Sequence, residues 1–345
     1  MNVFEAPTAQ SAEHAKSSEE VGRFVVEAAV NAPSVHNTQP WWFSTGAAAS
    51  PEGELSVHAD AERRLRVADP DGREMLISCG AAVFTARVAL RRLDFVPQVT
   101  LLPDPDLPNL IARMRWHDRT PAVEYERQLF DQIQRRRTHR GGFDDEPLPA
   151  GLVTALRDEA AREKATLRIL GDEGERGALS AVVEAANFAL RLDGARAKEE
   201  SRWAPPPGSV RRDGVPATAY PARPVRTDPA FPGRDFAHGH GWGLPVGAGE
   251  GMLPRAAGLV AVLTTAVDQP LDWIRAGQAL QRVLLLASSS GVSAALHSQP
   301  LELSELRTFI RTHLCGGAYP QMVLRLGMTG ETAVSVRRPV DEVLL

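Results

Sequence analysis

Two apolar stretches far apart in this chain are built alike, and this constrains its fold more than any other feature. One runs Met75-Leu-Ile-Ser-Cys-Gly-Ala-Ala-Val-Phe-Thr-Ala-Arg-Val-Ala-Leu90, the other Ile274-Arg-Ala-Gly-Gln-Ala-Leu-Gln-Arg-Val-Leu-Leu-Leu-Ala287. Each reads as an apolar helix punctuated by Gly and Ala, residues small enough to let a second helix approach closely. The first is followed by a Pro-containing strand, the second by Gly291 and a short strand. An internal repeat produces this pattern, and so do two unrelated buried helices. Composition alone leaves both readings open.

Around these stretches the hydrophobic periodicity predicts a helix starting near Ser17 or Ser18, with Ser18 as its N-cap and Pro33 ending it. Strands follow over 39–44 and 55–59, a long helix starts at Asp71, and strands over 99–102 and 110–116 complete a first half. A second half opens with a helix ending near Arg137. It continues through a helix over 151–162, a strand over 166–170 and a helix over 174–192. After a gap come a strand over 259–265, helices over 272–289 and 304–313, and a last strand over 321–326. Helices and strands mix without strict alternation, which favours an α+β fold over a doubly wound sheet.

Between Ala195 and Pro254, Pro, Gly and Arg dominate, with Trp203, Tyr220, Phe231, Phe236 and Trp242 spaced through them. Disordered segments carry few aromatics, so this one is expected to dock on the rest of the chain as a lid. The expected division is a disordered tail over 1–20, a first half over 21–120 and a second half over 121–345, the last carrying the insertion at about 195–254.

Bulk properties narrow the function. Lys and Arg number 39 against 43 Asp and Glu, a net charge of −4, so no broad positive field favours nucleic acid or an anionic membrane. Cys79 and Cys315 are the two cysteines and form no CxxC, which suits reduced thiols of a cytoplasmic protein. The polar, acidic start reads as neither signal peptide nor anchor, and no apolar run is long enough to span a bilayer. His238 and His240 lack a nearby carboxylate or cysteine at ligand spacing, so no metal site is expected. The glycines at 247, 249 and 251 do not form a GxGxxG after a strand, and there is no GxSxG, which argues against a Rossmann domain and a hydrolase.

Four segments carry candidate chemistry. Ala32-Pro33-Ser34-Val35-His36-Asn37-Thr38-Gln39-Pro40-Trp41 is a stiff polar turn between a helix end and a strand. Its side chains suit the polar edge of a planar heterocycle, or a structural turn that caps its own backbone. Arg135 to Arg140 bring guanidinium forks and the Thr138 hydroxyl together, which suits a terminal phosphate. A solvated basic helix end reads equally well. The pair Arg337-Arg338 follows the last strand, and Gly291-Val-Ser-Ala-Ala-Leu-His-Ser-Gln-Pro300 links a strand to a helix.

Taken together these segments resemble the nitroreductase-fold flavoproteins. P-S-x-x-N-x-Q-P-W looks like the flavin-contact signature of that family, and the fuller APSVHNTQPW resembles its tandem-repeat branch, typified by the mycobacterial Acg-like flavin-sequestering proteins. The resemblance implies FMN as cofactor. Ser34, His36, Asn37 and Gln39 take the positions of the flavin turn. Arg136, Arg137, Thr138 and Arg140 match the R-R-S-x-R-x-F phosphate-binding opening, with one extra glycine before Phe143. Arg337, or Arg338 second, matches the terminal arginine that returns to the phosphate. His297, Ser298 and Gln299 match the segment whose backbone approaches the reactive N5 edge.

Ordinary members of that family are homodimers whose flavins lie between subunits. Here the flavin turn occurs only in the first half, and the phosphate elements only in the second. The implied fold is therefore two fused nitroreductase-like halves, a pseudo-dimer with one composite flavin site that could be monomeric. The implied activity is NAD(P)H-dependent reduction of a nitroaromatic or quinone-like small molecule. Flavin N5 would carry that chemistry, with no catalytic acid or base required of the chain. The rival reading is an FMN-storage protein whose lid blocks turnover.

Overall fold

The computed structural model describes residues 17–46, 53–220, 226–234, 236, 254–331 and 335–345. The first helix, α1 (Ser18–Ala29), is capped by Ser17 and not by Ser18. The Ser17 hydroxyl accepts from the Glu20 N–H, and the Glu20 carboxylate accepts from the Ser17 N–H at 2.7 Å. A cap at Ser18 would have put Val21, which has nothing to return, at the third position of the box. Residues 17–20 are thus part of a capped helix and not of a tail. The expected tail over 1–16 lies outside the described residues.

Strands β1 (Trp41–Thr45) and β2 (Gly53–Ala59) then pair antiparallel. The long helix α2 (Arg73–Arg92) starts after Gly72, which holds φ at 75°. It thus begins two residues past the expected Asp71, and Asp69 satisfies its first turn: the carboxylate accepts from the N–H groups of Glu74 and Met75 at 3.1 and 2.9 Å. Strands β3 (Gln98–Leu101) and β4 (Leu110–Trp116) complete an antiparallel sheet of order β1-β2-β4-β3.

Helix α3 (Glu124–Gln132) stops short of Arg137. Past it come α4 (Leu152–Arg162), β5 (Thr166–Ile169), α5 (Glu173–Leu192) and α6 (Gly194–Ser201). Two short strands, β6 (Thr227–Asp228) and β7 (Arg255–Ala256), pair in parallel. They are followed by β8 (Leu259–Thr265), α7 (Pro270–Ser289), β9 (Ser293–His297), α8 (Ser304–Phe309) and β10 (Tyr319–Gly327). The second sheet has the order β5-β8-β10-β9, again antiparallel.

The two sheets have one topology. In each half a helix precedes the first strand (α1, α4), a long helix joins the second and third strands (α2, α7), and the fourth strand lies between the second and third. Topology thereby selects the repeat over chance likeness of composition. The α+β fold is two fused halves.

Helices α2 and α7 cross at the centre with their backbones in contact. A Cβ built on Gly80 would stand 2.1 Å from the Ile274 carbonyl oxygen, and one on Gly277 would stand 1.9 Å from that of Ile77. The contact is reciprocal, since Ile77 and Gly80 sit on one helix as Ile274 and Gly277 sit on the other. Each isoleucine is exchanged: Ile77 is buried in the core of the second half, and Ile274 in that of the first. Sheet edges are exchanged too. The Phe43 N–H of β1 donates to the Val343 carbonyl at 2.7 Å, and from α3, whose Leu129 packs in the core of the first half, the chain runs on to β9, where the His139 N–H donates to the Ala294 carbonyl at 2.8 Å.

The insertion is less bare than its composition suggests. Helix α6 forms because the Asp193 side chain accepts from the Ala195 and Arg196 N–H groups. Phe231 is buried against the second sheet, while Val215, Ala219 and Phe236 make a small core of their own. Among the described residues no helix is long and apolar enough to cross a membrane. Trp242, the His238–His240 pair and the glycines at 247, 249 and 251 lie outside the described residues.

Candidate functional site

The flavin-like turn follows α1 and is strained in a purposeful way: His36, Asn37 and Gln39 have φ of 46°, 53° and 50°. Left-handed backbone at three non-glycine residues is held by surrounding bonds. Ser34 Oγ accepts from the Gln39 N–H at 3.0 Å, and Ser78 Oγ accepts from the Val35 N–H at 3.1 Å. The turn thereby faces a cavity between the halves. Ser34, His36 and Asn37 line it from the first half, with Glu74, Ile77 and Ser78 at the start of α2. Thr138, Arg140, His297, Ser298, Gln299 and Arg325 line it from the second half, and Arg337 closes one end. The insertion covers it with Val215, Tyr220, Arg234 and Phe236.

Nine of the thirteen expected residues therefore meet around one cavity: Ser34, His36, Asn37, Thr138, Arg140, His297, Ser298, Gln299 and Arg337. Four do not line it. Gln39 is buried and spends its amide on the backbone, donating to the Arg212 carbonyl at 2.8 Å and accepting from the Arg338 N–H at 2.8 Å. Arg338 reaches the Glu342 carbonyl at 2.9 Å and faces away. Together they tie the turn to the insertion and to the C-terminal segment. Arg136 and Arg137 line an adjoining hollow, and His139 borders both spaces.

Charge is the unusual property of this region. Arg136 is buried and Arg337 partly so, and both donate to the Asn31 carbonyl, at 3.2 and 3.3 Å. Arg337 also donates to Asn37 Oδ1 at 2.9 Å. Still, Arg337 Nε and Arg136 Nε and Nη1 are buried with no acceptor. Burial, with the repulsion of Arg136, Arg137 and Arg140, holds the Arg337 guanidinium well below its usual range. Burial, with Arg137 and Arg140, pushes Arg136 down to about 9. Among the described residues no carboxylate forms an ion pair with any of the four. Four guanidinium groups are thus gathered without a described counter-charge, an arrangement that is costly unless an anion is present.

Residues that sequence reasoning missed complete the wall. Glu74 is paired with Arg73 at 2.8 Å, yet its Oε2 is buried without a partner, and burial pushes its carboxyl well above the usual range. Arg234 comes from the insertion and is pinned by Glu200 and Glu302, both buried. Its carbonyl accepts from the Tyr220 hydroxyl at 2.9 Å. Phe236 meets the His36 ring edge-on at 4.8 Å between centroids, and neither His36 nitrogen has a partner. Only Arg325 left a signal, as a lone charge in the apolar run Met322-Val-Leu-Arg-Leu326. Among the described residues no group of three His, Cys, Asp or Glu could hold a metal ion. Both cysteines are buried free thiols.

No family model matches the chain. Curated relatives do. A Mycobacterium tuberculosis H37Rv protein named "Putative NAD(P)H nitroreductase Rv3131" is 34% identical over 310 residues, which are 89% of this chain and 85% of the relative. Another from that strain, "Putative NAD(P)H nitroreductase acg", is 28% identical over 335 residues, 94% of this chain and 95% of its own. A solved "putative nitroreductase" from Anabaena variabilis aligns with 90% of this chain and 73% of its own at 12% identity, with a TM-score of 0.45. The first relative's identity, carried over most of both chains, settles the kinship: this chain belongs to the nitroreductase family.

Proposed function

We propose that the chain binds one FMN in the cavity between its halves and is an NAD(P)H-dependent oxidoreductase for a small nitroaromatic or quinone-like acceptor. One observation carries the proposal. The buried Arg136 and the partly buried Arg137, Arg140 and Arg337 have no described carboxylate, and three nitrogens of Arg136 and Arg337 lack any acceptor. A phosphate monoester dianion fits such a cluster in charge and in acceptor geometry. Beside it, the buried and unpartnered Glu74 Oε2 and His297 Nδ1 suit the alternating donors and acceptors of a polar heterocycle.

Bound there, FMN would supply hydride chemistry at its N5 position. The chain's own residues do the rest. Arg337, at the end of the cavity, and Arg136, in the hollow adjoining it, would hold the phosphate, with Arg137 and Arg140 adding positive potential. Asn37 links the flavin turn to the phosphate end through its bond from Arg337. Ile77 and Leu280 provide an apolar floor, and Phe236 with Tyr220 excludes water from above. Because the halves already stand in for two subunits, the site is complete within one chain.

A second reading rests on the cover itself. Arg234 enters the cavity wall from the insertion and is held by buried Glu200 and Glu302. A cover latched in this way favours storage of FMN over turnover. Anaerobic mixing of FMN-loaded protein with NADPH and then NADH separates the two. Bleaching of the flavin band within seconds supports the oxidoreductase. A flavin that only dithionite reduces supports storage, and a chain that takes up no FMN sinks both.

A further inference from the structure

His297 Nδ1 is a buried polar atom that the phosphate cluster does not explain. The residue ends β9 and lies opposite Val323 of β10, with Arg325 two positions further along that strand. A guanidinium can only donate, so the 2.9 Å contact from Arg325 Nε makes His297 Nε2 an acceptor. The ring is then neutral and carries its proton on Nδ1. Turning the ring over would set a carbon against the Arg325 N–H and lose the bond.

Arg325 cannot follow such a turn. It donates to the Ala257 and Gly141 carbonyls at 3.0 and 3.1 Å, and lies between the rings of Phe143 and Phe231, 5.3 and 5.4 Å from their centroids. Burial, together with Arg325 and Arg234, also keeps the imidazole well below its ordinary pKa, in agreement with a neutral ring. What remains is a buried N–H, on a residue only 2% exposed, that has no acceptor among the described residues. His297 lines the cavity beside Ser298 and Gln299.

We infer that His297 is a fixed hydrogen-bond donor to the flavin ring, its tautomer set by Arg325, and that the pair raises the reduction potential of the bound cofactor. The inference rests on FMN occupying this cavity. The acceptor is a carbonyl oxygen or ring nitrogen of the isoalloxazine. Such atoms gain electron density on reduction, so a fixed donor backed by a buried cation grips the reduced ring more tightly than the oxidised one. His297 acts here as a positioning and potential-setting residue and transfers no proton.

Two amide replacements separate its two nitrogens. His297→Gln places an acceptor near the Nε2 position, keeping the Arg325 bond while giving up the Nδ1 donor. His297→Asn reaches only as far as Nδ1 and keeps a donor there. On FMN-loaded protein, the midpoint potential is measured anaerobically against a reference dye, and oxidised FMN affinity by fluorescence quenching. The glutamine variant should lose roughly tenfold more affinity for reduced than for oxidised FMN, a fall of about 30 mV for a two-electron couple. The asparagine variant should stay near the parent. His297→Phe, which fills the ring's space without a donor, carries the same expectation as glutamine if the latter does not fold. An unchanged potential in the loaded glutamine or phenylalanine variant overturns the inference and leaves the cofactor reading standing. A fall in the asparagine variant with none in the glutamine variant overturns it too, because the Arg325 bond and not the donor would then matter. A parent chain that takes up no FMN overturns the cofactor reading and the inference with it.

Discussion

Replacing Arg136 with methionine should make the ligand-free protein more stable and its grip on FMN weaker. The side chain is 4% exposed, and its one hydrogen bond is from Nη2 to the Asn31 carbonyl. That carbonyl keeps a donor after the substitution, because Arg337 Nη2 reaches it at 3.3 Å. Nothing buried is orphaned, and a charge repelled by Arg137 and Arg140 is removed. Exchanging a buried charge for an apolar side chain of similar volume stabilises by roughly 1–4 kcal/mol, and the lost hydrogen bond costs about 0.5–1.5. The net should therefore be a gain of about 1.5 kcal/mol, within a range of roughly −0.5 to 3.5, in the absence of ligand. With FMN present the sign reverses. A charge-assisted bond to phosphate contributes roughly 1.5–3 kcal/mol, so affinity should fall about ten- to a hundredfold. Urea unfolding of the ligand-free protein followed by circular dichroism gives the first number, and fluorescence titration with FMN gives the second. A variant that is less stable without ligand, yet binds FMN as well as the parent, would show that Arg136 serves the fold and refute the anion site.

At the helix crossing, Gly277→Ala and Gly80→Ala should each destabilise by about 1–3 kcal/mol or more, since the new Cβ meets backbone that cannot swing aside. Neutral urea midpoints would show that the helices can part freely. Arg234→Met should loosen the cover and speed both FMN release and flavin reduction by NAD(P)H, and unchanged stopped-flow traces would show that the ion pairs are no latch. The pH dependence of stability should involve His36, which burial, Arg234 and Arg140 hold well below its ordinary pKa of 6.5. The folded state then binds fewer protons than the unfolded one, so stability is lost as pH falls below about 6.5, and His36→Phe should flatten that loss. Equal acid sensitivity in parent and variant would place the titrating group elsewhere. FMN should bind at one per chain, and two would contradict a single composite site.

Much of this architecture was legible because local pattern and tertiary role agree. The strands Leu110–Trp116 and Leu259–Thr265 are β-rich apolar runs bracketed by turn residues, and they fold with the bounds their pattern predicts. Where the two levels disagree, local reading failed. Arg135 to Arg137 look like a helix end, but the chain must leave α3 at Gln132 so that His139 can reach Ala294 on the edge of β9. The Asp193 cap of α6 was hidden by the Pro and Gly that follow it. In the site, the residues that could be read were those in contiguous motifs. Glu74 looks like an ordinary acidic residue in a first helical turn, favoured there by the helix dipole. It ends 3% exposed in the wall of a cavity that Arg234 and the rest of the insertion cover, and its own neighbours in sequence announce neither. Arg234 is one of many arginines in a Pro/Gly-rich segment, and only the positions of Glu200 and Glu302 mark it out.

The same crossing that joins the halves also explains why they differ. The register that matches Ile77 with Ile274 and Gly80 with Gly277 also matches Glu74 with Leu271 and Ser78 with Arg275. Contacts that determine the fold are thus repeated, because each glycine must admit the other helix's backbone and neither can change alone. Contacts that determine the site are not. Where the first half turns a buried carboxyl and a hydroxyl toward the cavity, the second has an apolar side chain and an exposed-end cation at the corresponding turns. The edge exchanges follow the same logic. Arg337 reaches Asn37 only because the C-terminal segment crosses to pair with β1, and Thr138 reaches the cavity only because the segment after α3 pairs with β9. In a dimer of identical subunits every such arm would be made twice, and so would the site. Fusion removes that obligation. One copy of each arm can be kept where it serves the ligand, while its counterpart drifts toward whatever packs best. A single cavity furnished by both halves is the state that this freedom permits, and the reciprocal glycines are what keep the two halves aligned around it.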